Sequence, residues 1–305
     1  MTQFNEAQLT EAVVASFEHA SNPRTKFLLQ ELVKSLHDYV RKTDLTFDEW
    51  AAAIDFLTRT GQKCSDTRQE FILLSDVLGV SMLVDAVNHR ERAGATETTV
   101  LGPFYVGEHR VMPHGTDISE KLAGEKMFVQ ARVTDVSGAP LAGAAVDVWH
   151  ADDEGLYDSQ RPGYQSEGPS SRARFMTDSD GRFFFRTVLP RSYPIPTDGP
   201  VGAMVLQTRP HAMRPAHVHF LVDAKGHEPL VTHVFISGDD YLDSDVVFGV
   251  KDELIAQVER RTDPVMPDGK LATTPWHLMT YDFRMKPGAG VAPKPLGATA
   301  AEAAE

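Results

Sequence analysis

A chain of 305 residues is long enough for one large domain or two smaller ones, and 42% hydrophobic with 24% charged residues is the balance of a soluble globular protein. The net charge of −13, from 30 basic residues against 43 acidic ones with no basic stripe, argues against nucleic acid and anionic membrane surfaces as partners. Cys64 is the only cysteine, which excludes an intrachain disulfide and a thiolate metal cluster.

The stretch Met1 to His19 has neither the basic start nor the apolar core of a signal peptide, and no run approaches the ~20 apolar residues of a membrane span. A reducing cytoplasm is therefore the expected location. The first third reads as helix. Asn5 and Gln8 form a capping-box pattern, followed by Leu9, Val13 and Phe17 at every fourth position. Asn22-Pro23 starts a second helix with the stripe Leu28, Leu32, Leu36. Thr46-x-x-Glu49 starts a third, carrying Trp50, Ile54 and Leu57, with Gly61 as its stop. A fourth is expected from about Asp66 to Val87, with Phe71, Leu74 and Leu78 inward. From Lys126 the apolar period drops to two: Val129, Ala131, Val133, then Val146 and Val148. Asp135-Val136-Ser137-Gly138, Asp178-Ser179-Asp180-Gly181 and Ala224-Lys225-Gly226 are turn chemistry, and Phe183 to Phe185 and Val231 to Phe235 read as buried strands. This predicts a mixed chain: an N-terminal helical region over 1–105, a β-sandwich over 106–285 and a flexible tail over 286–305.

The chemistry concentrates in Arg214-Pro215-Ala216-His217-Val218-His219-Phe220, a strand by pattern. Side chains two apart on a strand share a face, so His217 and His219 could bind one metal from one side. The bland alternative is two polar residues on a solvent face. Imidazole suits Zn, Cu, Fe and Ni alike, so the pair does not choose the metal. Tyrosines would choose it. A phenol with a pKa of roughly 10 is a poor ligand for a weak Lewis acid, whereas trivalent iron can deprotonate it. Two phenolates and a hydroxide neutralise Fe(III) and hold it ferric. Tyr157 and Tyr193 lie upstream of the pair, but spacing alone does not exclude Tyr105, Tyr164 or Tyr241, and each also suits a core aromatic.

Leu101-Gly102-Pro103-Phe104-Tyr105, Asp147-Val148-Trp149-His150 leading to Tyr157, Tyr193-Pro194-Ile195-Pro196 with Asp198-Gly199-Pro200, the run Arg214 to Phe220, and Gly238-Asp239-Asp240-Tyr241-Leu242 together resemble the intradiol ring-cleavage dioxygenases, in that family's order and spacing. The likeness extends up to about Asp282. Leu74 to Gly79, Met82 to Ala86 and Tyr241 to Phe248 are similar to the branch that cleaves hydroxyquinol. The resemblance implies one Fe(III) per chain on Tyr157, Tyr193, His217 and His219. It implies that Tyr193 leaves the metal when substrate binds while Tyr157 stays, and that Arg214 stabilises negative charge on the ring. The substrate shell would hold Leu73, Asp76, Gly102, Pro103, Phe104, Ile195, Pro196, Arg214, His233 and Val247. Many catechol-cleaving members carry Gln at the position of His233. Asp76 is an acid in an otherwise apolar run, and could accept a hydrogen bond from the third ring hydroxyl that catechol lacks; without the resemblance it reads as a helix residue facing water.

The expected activity is intradiol cleavage of a small aromatic diol or triol with O2, giving 3-hydroxy-cis,cis-muconate, tautomer maleylacetate, from hydroxyquinol. Family precedent adds a homodimer through the helical region and a lipid bound at its interface. Competing readings are a catechol or chlorocatechol dioxygenase, a cupin-like enzyme on His217, His219, Asp223 and His233, and a non-enzymatic β-sandwich binding module. His150 is expected to be structural.

Overall fold

The computed structural model describes residues 5–65, 68–90, 94–107, 110–161 and 168–293. By compactness the chain divides into Met1–Arg59 and Thr60–Glu305.

The first unit holds α1 (Glu6–Ser16), α2 (Pro23–Thr43) and most of α3 (Phe47–Lys63). Each start signal works as the sequence suggests. Asn5 and Gln8 exchange backbone-to-side-chain hydrogen bonds at 2.9 and 3.1 Å, Asn22 caps Arg24 and Thr25, and Thr46 and Glu49 pair reciprocally. The stripes of α2 and α3 stay exposed within the single chain: Leu28, Leu32, Leu36, Trp50, Ile54 and Leu57 are all between 43% and 54% accessible.

Two helix expectations are corrected. Helix α3 does not stop at Gly61 but runs to Lys63. The expected fourth helix, whose start at Asp66 lies outside the described residues, is two helices, α4 (Glu70–Val77) and α5 (Val80–Asn88). Gly79, at φ +71, breaks it, because only glycine takes that conformation without steric cost. Phe71 (46%) and Leu78 (58%) are exposed, where a continuous stripe would place them inward.

The larger unit is a β-sandwich. One sheet has the order β10-β11-β1-β4, from β1 (Lys126–Asp135), β4 (Arg182–Val188), β10 (Val258–Arg261) and β11 (Trp276–Met285). The other has the order β3-β2-β7-β8-β9, from β2 (Ala145–His150), β3 (Arg172–Met176), β7 (His217–Asp223), β8 (Leu230–Ile236) and β9 (Ile255–Ala256). Two short strands, β5 (Tyr193–Pro194) and β6 (Met213–Arg214), form a separate ribbon in which Tyr193 pairs with Arg214. Between them runs α6 (Pro200–Thr208), which the sequence reading missed despite Pro200 at a first helical position. Facing residues of the two sheets, including Val129, Val146, Phe175, Phe183, Phe185, Phe220 and Phe283, make one core and are all 0% exposed. Each buried Phe contributes roughly 2–3 kcal/mol, so the frame under the second sheet's outer face is stiff.

Of the expected tail, Lys286 and Gly288 are fastened to the 226–228 turn by backbone hydrogen bonds at 2.9 and 3.0 Å, and residues 294–305 lie outside the described residues. Among the described residues, no helix is long and apolar enough to cross a membrane.

Candidate metal centre

Strand β7 has two faces with opposite tasks. Val218, Phe220 and Val222 point into the sandwich core. His217, His219 and Leu221 therefore point to the outer face of the sheet. That face is not in solvent: His217 and His219 are each 1% exposed, which excludes the reading of two surface histidines. The register fills in the surroundings. Trp149 on β2 and His233 on β8 both pair with His219, and the Trp149 ring stacks on the His219 ring at 4.7 Å. Loops cover the face. Tyr157 follows the turn after β2, and Phe104 stacks on Tyr157 at 4.2 Å. Gly102 sits against the His219 ring at φ +79, and a Cβ there would lie 3.1 Å from its Cε1.

Four donor atoms meet here. Tyr157 Oη lies 3.2 Å from Tyr193 Oη, 3.3 Å from His217 Nε2 and 2.8 Å from His219 Nε2, and the two imidazole Nε2 atoms are 3.2 Å apart. Atoms bound about 2 Å from one metal ion stand roughly 3 Å from each other, so the spacing suits one shared ion. The protonation states agree. Burial, then the neighbouring Arg214 charge, holds His217 well below the usual imidazole range; burial, then the other histidines, does the same for His219. Both rings are thus neutral, with a lone pair to offer. In His217 that lone pair is on Nε2, because Nδ1 lies 2.7 Å from the Pro215 carbonyl and must donate to it. Burial and the Tyr193 hydroxyl push the Tyr157 phenol well above its ordinary pKa, so a strong positive charge is needed to make it a phenolate. This donor set fits a highly charged ion.

A three-histidine grouping also exists, since donor atoms of His217, His219 and His233 lie within 4.8 Å of one another. Among the tyrosine–histidine donors, Tyr157 Oη and the Nε2 atoms of His217 and His219 lie within 3.3 Å of one another. His233 Nδ1 lies 3.4 Å from the guanidinium Nη2 of Arg214, facing a cation, and its ring stacks on His217 at 4.9 Å. Asp223, the carboxylate of the cupin-like reading, is exposed and four residues from His219, roughly 13 Å along the strand. Tyr105 donates to Asp147 at 3.0 Å and Tyr241 packs on His211 at 4.9 Å, so neither joins the cluster; Tyr164 lies outside the described residues.

Arg214 is buried. Its Nε and Nη2 donate to Asp245 at 3.2 and 3.4 Å, while Nη1 lies 3.4 Å from His217 Nε2. Burial disfavours its charge, but Asp245 and the nearby phenols outweigh that and hold its pKa above the ordinary value. The guanidinium is a permanent cation at the edge of the cluster. Asp76, on α4, is buried at 7% and does not face water. Burial raises its pKa, opposed by the Ser81 hydroxyl and the Arg214 charge. Leu73 sits one turn before it and is half-buried, like Pro196; Ile195 and Val247 are buried; Pro103 is exposed. His150 is structural, with Nδ1 2.7 Å from the Ala151 carbonyl and Nε2 2.7 Å from Thr187 Oγ1.

Sequence reasoning missed the pair Arg172–Asp158, in which both side chains are under 5% exposed, directly after Tyr157. Arg172 also donates to the Phe104 carbonyl at 3.1 Å, which links the loop bearing Phe104 to the loop bearing Tyr157. No local pattern marks two residues 14 apart as partners.

A helical N-terminal part, a β-sandwich, and a buried cluster of two tyrosines and two histidines on one sheet's outer face make a chain whose donor set suits a metal ion. The family model described as Dioxygenase matches residues 101–287, and that described as Catechol dioxygenase N terminus matches residues 22–96. The chain belongs to the intradiol ring-cleavage dioxygenase family, whose members generally depend on non-haem iron. It is 49% identical over 263 residues to the 6-chlorohydroxyquinol 1,2-dioxygenase of Cupriavidus pinatubonensis, covering 86% of this chain and 95% of that one. It is 47% identical over 260 residues to the hydroxyquinol 1,2-dioxygenase of a Rhizobium species, covering 85% and 88%. The crystal structure of hydroxyquinol 1,2-dioxygenase from Pseudomonas putida DLL-E4 matches with a TM-score of 0.85 at 46% identity, covering 93% of this chain and 99% of that one.

Proposed function

We propose that Tyr157, Tyr193, His217 and His219 hold one Fe(III) per chain, and that the enzyme cleaves hydroxyquinol with O2 between its two adjacent hydroxylated carbons, giving 3-hydroxy-cis,cis-muconate, tautomer maleylacetate. The position of Tyr157 Oη, 2.8 to 3.3 Å from Tyr193 Oη, His217 Nε2 and His219 Nε2, carries the metal assignment. The named activities of the relatives and the burial of Asp76 support the substrate.

Ferric iron held there would supply Lewis acidity that makes the two adjacent substrate hydroxyls more acidic. The chain's own residues do the rest. Tyr193 stands on the two-residue ribbon and would be the ligand that gives way, its Oη taking one of the two substrate protons while hydroxide takes the other as water. Tyr157, stacked under Phe104, stays in place. Arg214 offers its fixed charge to the ring as negative charge develops on carbon. Phe104, Ile195 and Val247 supply apolar wall, and Gly102 lets the backbone close on His219. Asp76 accepts from the third hydroxyl, a hydrogen bond that plain catechol cannot make. His233 orients the Arg214 side of the site. The exposed stripes of α2 and α3 suit a subunit contact, in keeping with a homodimer. Residues 1–105 serve as the linker and dimerisation part, and 106–285 as the catalytic part.

Anaerobic titration of the iron-loaded protein, followed in the visible range, tests this reading. The expected result is a broad tyrosinate-to-iron band that shifts to longer wavelength with hydroxyquinol and weakly with catechol. An equal shift with catechol would leave a catechol-type dioxygenase and remove the substrate assignment. A colourless protein with full metal content would remove the tyrosinate ligands.

A further inference from the structure

We infer that Arg209 is a positioning residue that sets the substrate selectivity of the site from outside it, by fixing the distance between the wall that carries Asp76 and the wall that carries Asp245 and Val247. The inference rests on the reading that Asp76 meets the third hydroxyl of hydroxyquinol.

Arg209 ends α6 and touches neither the donor cluster nor Asp76. Its Nη2 donates to the carbonyl of Val77, the residue after Asp76, and its Nη1 donates to the carbonyl of Val246 at 2.7 Å. One planar guanidinium thus joins the end of α4 to the 245–249 loop. Val77 O belongs to the last turn of α4, where carbonyls lack helical partners and a cation is favoured by the helix dipole. On the other side, Asp245 holds Arg214 and accepts backbone N–H bonds from Val247 at 3.3 Å and Gly249 at 2.9 Å. Displacing Val246 therefore displaces both neighbours that face the site.

A second contact spans the same gap. Phe248 sits at φ +60, a conformation that costs energy in a residue with a side chain, so its surroundings must hold it there. Its ring lies under the Arg209 guanidinium at 5.0 Å and against the Gly79 turn between α4 and α5, where a Cβ on Gly79 would be 3.6 Å from the ring. Arg209 and Phe248 together brace α4 against the loop. The carboxyl of Asp76 already lies within the electrostatic reach of Arg214 and Asp245, so a small change in this spacing alters how it meets a substrate hydroxyl. Catechol has no group to meet Asp76 and should sense the change less.

The test uses the iron-loaded enzyme with Arg209→Ala, and Phe248→Leu as a milder variant, assayed on hydroxyquinol and catechol. The loss of two charge-assisted hydrogen bonds should raise KM for hydroxyquinol about tenfold in Arg209→Ala, with kcat within about twofold and catechol KM raised no more than about twofold. Phe248→Leu should move KM in the same direction by about threefold. The tyrosinate band of the substrate-free enzyme should stay in place. Arg209 lines an open groove of about 350 Å³ with His211, Leu242 and Phe248, so added guanidinium can enter and should restore part of the hydroxyquinol KM in Arg209→Ala alone. A parallel loss on both substrates, or no rescue and no change in the KM ratio, overturns the inference. If the unsubstituted enzyme fails to distinguish the two substrates, the substrate reading falls first and this inference falls with it.

Discussion

Replacing Arg214 by Met separates what its guanidinium does for folding from what it does for the reaction. Arg214 and Asp245 are 5% and 6% exposed, so the substitution strands a buried carboxylate. Breaking such a pair from one side costs about 3–5 kcal/mol. Asp245 retains the N–H groups of Val247 and Gly249, at 3.3 and 2.9 Å, so the loss should fall near the low end, about 3 kcal/mol. Asp245→Asn in the Met background removes the stranded charge and should return about half of that stability. Activity should behave differently. The guanidinium edge lies 3.4 Å from both His217 Nε2 and His233 Nδ1, and in the proposed function it stands beside the substrate ring. Losing a preorganised group of this kind costs about 10²–10³ in kcat/KM. Urea unfolding and oxygen-uptake kinetics on both variants decide the matter: stability should rise from the single to the double variant while kcat/KM stays low. If activity returns together with stability, Arg214 acts only by holding the 245–249 loop and the electrostatic argument fails.

Asp76→Asn should lower kcat/KM for hydroxyquinol about tenfold relative to catechol, and an equal fall on both would detach Asp76 from the third hydroxyl. Gly102→Ala forces a left-handed backbone onto a residue with a Cβ, at about 1–2 kcal/mol, and presses on the His219 ring; iron should pass to a chelator faster than from the unsubstituted chain, and an unchanged rate would contradict the close packing. Burial holds His150 down to about 4, against roughly 6.5 when unfolded. The unfolded chain therefore takes up a proton that the folded chain refuses, so the stability it confers is full above about 6.5 and falls as pH drops towards 4, by about 3 kcal/mol in total. His150→Gln should flatten that part of the stability curve in metal-free protein relative to the parent; parallel curves would assign the acid loss to other groups.

Local signals were readable where one or two turns of chain decide the outcome. The reciprocal caps at Asn5/Gln8 and Thr46/Glu49 and the proline start at Pro23 needed no tertiary context, and neither did the alternation of Val129, Ala131 and Val133. The break at Gly79 was hidden because Val77 and Val80 keep the apolar pattern running across it, and a left-handed residue leaves no trace in periodicity. The tyrosine–histidine cluster was proposed from family resemblance; spacing along the chain left several tyrosines equivalent, and only the covering of the outer sheet face separates Tyr157 and Tyr193 from Tyr105 and Tyr241. Arg209 and Arg172 were invisible for a related reason. Their partners are backbone carbonyls or acids brought together by the fold, and a carbonyl has no letter in the sequence.

The two-faced strand β7 also constrains how such an enzyme can change its length. Inserting or deleting one residue between Ala216 and Val222 would exchange the faces, sending imidazoles into the dry sandwich and Val218 and Phe220 towards the metal cluster. Both halves of the molecule would fail at once, the core through buried polar rings and the centre through missing donors. Exposed turns between strands carry no such parity rule and can gain or lose residues singly. Variation in length within this architecture should therefore collect in turns that do not touch the centre, such as 136–139, while β7 tolerates substitution but not a change of count.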